Sequence, residues 1–89
     1  MTIPGNPKEL ARDIANGFFI FSQATCRRLA PDELATLYRL LEQVAREIRA
    51  EQIPLERVVE IQRRNQRLGR ANTALMFIRS HAKRHRIVL

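Results

Sequence analysis

Apolar residues recur every three or four positions along most of this chain, which is the spacing that brings side chains onto one face of an α-helix. In the first stretch Leu10, Ile14, Phe18, Phe21 and Leu29 form the stripe, with Ala11 and Ala15 beside it, and predict a helix over residues 7–28. The second, over residues 31–50, is the cleanest: Leu34, Leu37, Tyr38, Leu41, Val44, Ala45 and Ile48 face one way, while charges of alternating sign face the other. The third begins near Pro54 and carries Ile61, Leu68, Ala71, Leu75, Ile78 and Ala82. It reads either as one helix to about residue 83 or as two, 54–68 and 72–83. Gly69 is a natural helix stop, Asn72 and Thr73 are acceptable caps, and the apolar face shifts after Val58 and Val59. The break is the favoured form, and residues 84–89 are left as a basic tail.

Three tripeptides mark where these helices start. Pro7, Pro31 and Pro54 are each followed two residues later by Glu9, Glu33 and Glu56. Proline at the first helical position loses no hydrogen bond, and a carboxylate in the first turn meets the positive end of the helix dipole. Asn6, ahead of Pro7, adds a capping side chain. The links between the helices are short, which folds neighbours back on one another. The fold class expected is therefore all-α, a compact antiparallel bundle of three or four helices in a single domain. A C-terminal pair resembling a helix-turn-helix is one form of it, with Gly69 at the turn. That motif fits only in part, because Asn65 stands where a small residue belongs and residues 72–79 are mostly apolar.

One run breaks the pattern. Phe18, Phe19, Ile20 and Phe21 are hydrophobic nearly all round, so a helix there needs deep burial or a second packing surface. A chain of 89 residues buries only about 60 to 65 per cent of its unfolded surface, and a second subunit is a natural supplement to so small a core. These four residues are accordingly the expected homodimer interface.

Charge then separates two parts of the chain. Residues 1–51 are neutral, with seven Lys/Arg against seven Asp/Glu, whereas residues 52–89 carry nine against two and so the whole formal net charge of +7. Such a field favours an anionic partner, most often nucleic acid. Arg63, Arg64, Arg67 and Arg70 recur along the third helical stretch with Gln62, Asn65 and Gln66 among them, and Arg79, Lys83, Arg84 and Arg86 follow. Guanidinium groups one turn apart can engage successive phosphates. The expected function is a small nucleic-acid-binding accessory or regulatory protein that uses these eight cations. The alternative is a non-catalytic adaptor that dimerises through its first helix and offers the Arg-rich helix to an acidic protein.

Catalytic and metal chemistry find no support. Ser22, Ser80 and the single Cys26 have no acid or base at a recognisable spacing, and the three glycines form no phosphate loop. His81 and His85 stand one helical turn apart, but no carboxylate follows Glu60 and the neighbouring cations repel a metal, so no metal or cofactor is expected. One cysteine allows no internal disulfide, no stretch reaches the roughly 18 to 20 apolar residues that cross a bilayer, and residues 1–5 lack the pattern of a signal peptide. The expected setting is the cytoplasm, away from membranes.

Overall fold

The computed structural model describes residues 6–89 and shows four helices: α1 (Pro7–Asn16), α2 (Gln23–Arg28), α3 (Pro31–Ala50) and α4 (Val58–His85). The reading of residues 1–5 lies outside the described residues. No strand is present among the described residues, and the helices pack on one another as an all-α bundle. Arg64 reaches Glu51 and Arg79 reaches Tyr38, so α3 and α4 run antiparallel.

Two helix starts form as their residue chemistry dictates. The Asn6 carboxamide oxygen accepts from the Lys8 amide at 3.0 Å, and the Glu33 carboxylate accepts from the Ala30 amide at 2.8 Å. The third Pro-x-Glu does not start a helix. Residues 54–57 close a turn in which the Arg57 amide donates to the Pro54 carbonyl, and α4 begins at Val58. The difference is burial: the first turn of α3 seats Leu34 fully in the core, whereas Leu55 is 87% exposed. Nothing there offsets the entropy of ordering another helical turn.

The first helix is not continuous over residues 7–28. It stops at Gly17, which adopts the left-handed conformation (φ 83°) that costs a side-chain-bearing residue about 1–2 kcal/mol. The Gly17 amide donates to Ile14 and the Phe18 amide to Asp13, capping the last carbonyls of α1. The chain then bends at residues 18–19 and stays out of helix until α2. Leaving the helix resolves the run that no single helix face could accommodate: Phe21 is buried and Phe19 packs on the core, while Phe18 and Ile20 face solvent. A Cβ on Gly17 would also lie 3.3 Å from the Arg70 guanidinium carbon. Gly17→Ala therefore lowers stability by about 1–2 kcal/mol in urea denaturation, and an unchanged midpoint would show that the turn tolerates a side chain.

The C-terminal stretch is corrected in the opposite sense. α4 runs unbroken through Gly69 for 28 residues, about 42 Å, so no helix-turn-helix pair forms there. A mid-helix glycine costs only about 1 kcal/mol relative to alanine. Ala71, Ala74, Leu75 and Ile78 bury just beyond it, and Leu68 packs against the same core, so continuing the helix is worth more than stopping it. The core joins Leu10 and Ile14 of α1, Leu34, Leu37, Leu41 and Ile48 of α3, and Leu75 and Ile78 of α4. The first turns of α4 bury nothing, and the molecule is 45 Å along its longest axis.

Candidate nucleic-acid interface

The eight expected cations divide into two groups. On α4 the line that carries the core residues Ala71, Ala74 and Ile78 continues backwards through Arg67 and Arg64, so these two face the end of α3. Arg67 forms an ion pair with Glu51, both Nη atoms donating to its carboxylate, and Arg64 donates to the Glu51 carbonyl at 3.1 Å. The Arg70 Nε donates to the Ala15 carbonyl at 2.7 Å, where the negative end of the α1 dipole favours a cation. Three of the four arginines in the expected phosphate row thus hold α4 to α1 and to the α3–α4 connection. Of the row, Arg63 alone is exposed with no partner among the described residues.

The second group gathers at the far end of the bundle. Lys83, Arg84 and Arg86 lie at the C-terminal end of α4 and are exposed, with Arg84 donating to Gln23 on α2 at 2.8 Å. That contact brings α2 alongside, and with it Arg27 and Arg28 in its last turn, both exposed. Arg79 sits one to two turns back, 3.5 Å from the Tyr38 hydroxyl. None of these six forms an ion pair among the described residues, where the pairs are Arg67 with Glu51 and Arg57 with Glu60. The carboxylates at this end, Asp32 and Glu33, belong to the first turn of α3, where Glu33 is engaged with the Ala30 amide.

Arg27 and Arg28 were hidden by counting charge along the chain, because they fall in its neutral part. Their place at the end of a helix was the available signal. It acquires meaning only when α2 docks beside the end of α4.

Burial shifts two titratable groups beside these cations. His81 is 7% exposed, and its pKa lies below 6.5 mainly because burial disfavours the imidazolium, with the charges of His85, Arg84 and Arg27 acting in the same direction. The two imidazole rings stand 4.3 Å apart. Burial likewise pushes the Cys26 thiol up, against the smaller opposing pull of a backbone hydrogen bond and of Arg84, which leaves it a neutral core side chain. An unfolded chain takes up the His81 proton near the ordinary value, and the folded one only at lower pH. Stability from this residue is therefore complete above about pH 6.5 and declines as pH falls below it. The melting temperature drops between pH 7 and 5.5, and His81→Leu flattens that drop; equal slopes in both proteins would exclude His81 as its source.

Among the described residues no group of three or more His, Cys, Asp or Glu side chains stands together, and no helix is long and apolar enough to cross a membrane. The fold and this surface define an all-α bundle with one cationic end. No protein-family model, curated protein or solved structure matches the chain.

Proposed function

We propose that the protein is a non-catalytic nucleic-acid-binding accessory protein of the cytoplasm, acting as a homodimer, and that it grips phosphates with the cationic end of the bundle rather than with the middle of α4. The observation that carries this reading is the convergence of Arg27 and Arg28 from α2 with Lys83, Arg84 and Arg86 from α4, exposed and free of carboxylate partners among the described residues. Arginine forks suit the two oxygens of a phosphate, and two elements presenting them at one end can straddle a backbone. Arg63 and Arg79 extend the surface along α4; Arg64, Arg67 and Arg70 are withdrawn from it by their internal bonds.

The test is a polarisation titration against random duplex DNA and random RNA over a range of salt. With about five phosphates engaged, the logarithm of affinity for duplex DNA falls against the logarithm of salt with a slope near −4 to −5. A slope near zero, or binding to neither polymer at low salt, removes the proposal and leaves an acidic protein as the ligand of this end.

A further inference from the structure

Two histidines stand among the cations of the bundle end, and histidine is the side chain whose charge ordinarily changes between pH 5 and 8. His81 and His85 lie one helical turn apart on α4, with ring centroids 4.3 Å from each other. His85 is exposed, whereas His81 is buried. The Arg67 Nε is the side-chain nitrogen sealed from solvent without a partner among the described residues. The His81 nitrogens are not sealed in that way, so a proton reaches the ring from the surface without the fold opening.

The charges gathered about this pair are positive. On α4 itself Lys83, Arg84 and Arg86 accompany it, and α2 brings Arg27 and Arg28 in its last turn, with Cys26 as a neutral thiol. The ionisable side chains of α3 at this end are Tyr38, 3.5 Å from Arg79, and Asp32 and Glu33 in the first turn. Glu33 is held by the Ala30 amide, and neither carboxylate forms an ion pair among the described residues. α1 meets α4 further back, at Arg70. Burial first, then the charges of His85, Arg84 and Arg27, act against the charged form of His81. The bond from Arg84 to Gln23 does not lessen this, because an amide brings no charge. An imidazolium at this place therefore lacks the counter-charge that ordinarily favours one.

On the function proposed above, which this inference rests on, a bound phosphate backbone supplies that counter-charge. We infer that the His81 and His85 pair is a proton-linked part of the phosphate grip: a nucleic acid seated on the cationic end draws a proton onto the pair, and the protein binds it more tightly as the solution is acidified. The two halves of this statement are one by reciprocity, since whatever binding does to proton affinity, protons do to binding affinity. The rings are close enough that a charge on one opposes a charge on the other, so the pair takes up at most about one proton. That proton adds a cation to the five that converge from α2 and α4, and steepens the salt slope by about 0.9 at acid pH. Phosphodiester groups keep their charge throughout this range, so the change arises in the protein.

The experiment is a polarisation titration of the full chain against random duplex DNA at 0.15 M salt, at pH 7.5 and at pH 5.5, with circular dichroism at both. Each protein is scored by the ratio of its two affinities. Wild type binds about fivefold more tightly at pH 5.5, most of the tenfold that one proton held one pH unit more firmly gives over an unlimited range. His85→Gln, at an exposed position, cuts the ratio to about half of that, and adding His81→Gln brings it below about 1.5-fold. Calorimetry at pH 6.5 in two buffers of unlike ionisation enthalpy reads the proton without any variant, as uptake of about half a proton per chain bound. A wild-type ratio near one with no proton uptake, while the slope near −4 to −5 stands at pH 7.5, overturns the linkage and leaves the phosphate grip in place. A double variant that keeps the wild-type ratio also overturns it, since the proton then sits elsewhere. Binding at neither pH removes the grip and the linkage together.

Discussion

Replacing Lys83, Arg84 and Arg86 together with Gln lowers affinity for duplex DNA about a hundredfold at 0.15 M salt and reduces the magnitude of the salt slope by about 2.7. Each phosphate contact contributes about 0.9 to that slope, which corresponds to roughly 1 kcal/mol at this ionic strength. All three side chains are exposed and none lies in an ion pair among the described residues, so the fold loses only the Arg84 to Gln23 bond. Arg27→Gln with Arg28→Gln gives a smaller loss in the same direction. The informative contrast is Arg64→Gln with Arg67→Gln: it leaves the slope nearly unchanged but lowers stability, because Glu51 is left without its cation and the α3–α4 connection without its tether. If the Arg64 and Arg67 pair carried the slope and the terminal cations did not, the cationic end would not be the binding surface.

Leu37→Ala costs about 3 kcal/mol in urea denaturation, within the roughly 2–5 kcal/mol of fully buried leucines. Leu37 is 1% exposed and among the largest wholly buried side chains, together with Leu34, Leu41 and Ile78. A domain of this size has a total stability on the order of 4–13 kcal/mol, so one such cavity removes a large share of it. Val59→Ala changes stability by less than about 0.5 kcal/mol, since Val59 lies on the part of α4 that overhangs the core. Equal effects of the two substitutions would mean that the overhanging turns are packed against something, such as a second chain.

The helix of residues 31–50 was legible because its pattern is self-sufficient: one unbroken apolar stripe, a Pro at the start, a carboxylate two places on that bonds the amide of the residue before the proline, and charges of both signs outside. The all-helical class follows from the same periodicity elsewhere. Residues 18–21 were legible only as an anomaly. Glycine at residue 17 permits a left-handed stop without requiring one, and only the fold brings Arg70, 53 residues away, against it and onto the end of α1. Gly69 shows the converse, a local stop signal overridden because Leu68, Ala71 and Leu75 bury on continuing the helix.

The basic excess, the absence of a recognisable catalytic spacing and the helical periodicity belong to the amino-acid sequence itself, since composition and short-range pattern do not depend on how distant segments meet. Which arginines stay free was decided in three dimensions. Arg64, Arg67 and Arg70 look like the best phosphate row in the chain, but on α4 they reach α1 and the end of α3, where the Ala15 and Glu51 carbonyls and the Glu51 carboxylate take up their hydrogen bonds. Arg27 and Arg28 look unremarkable until α2 lies beside the end of α4. A charge acts through the neighbours and solvent it meets in space, and those are set by packing rather than by position along the chain.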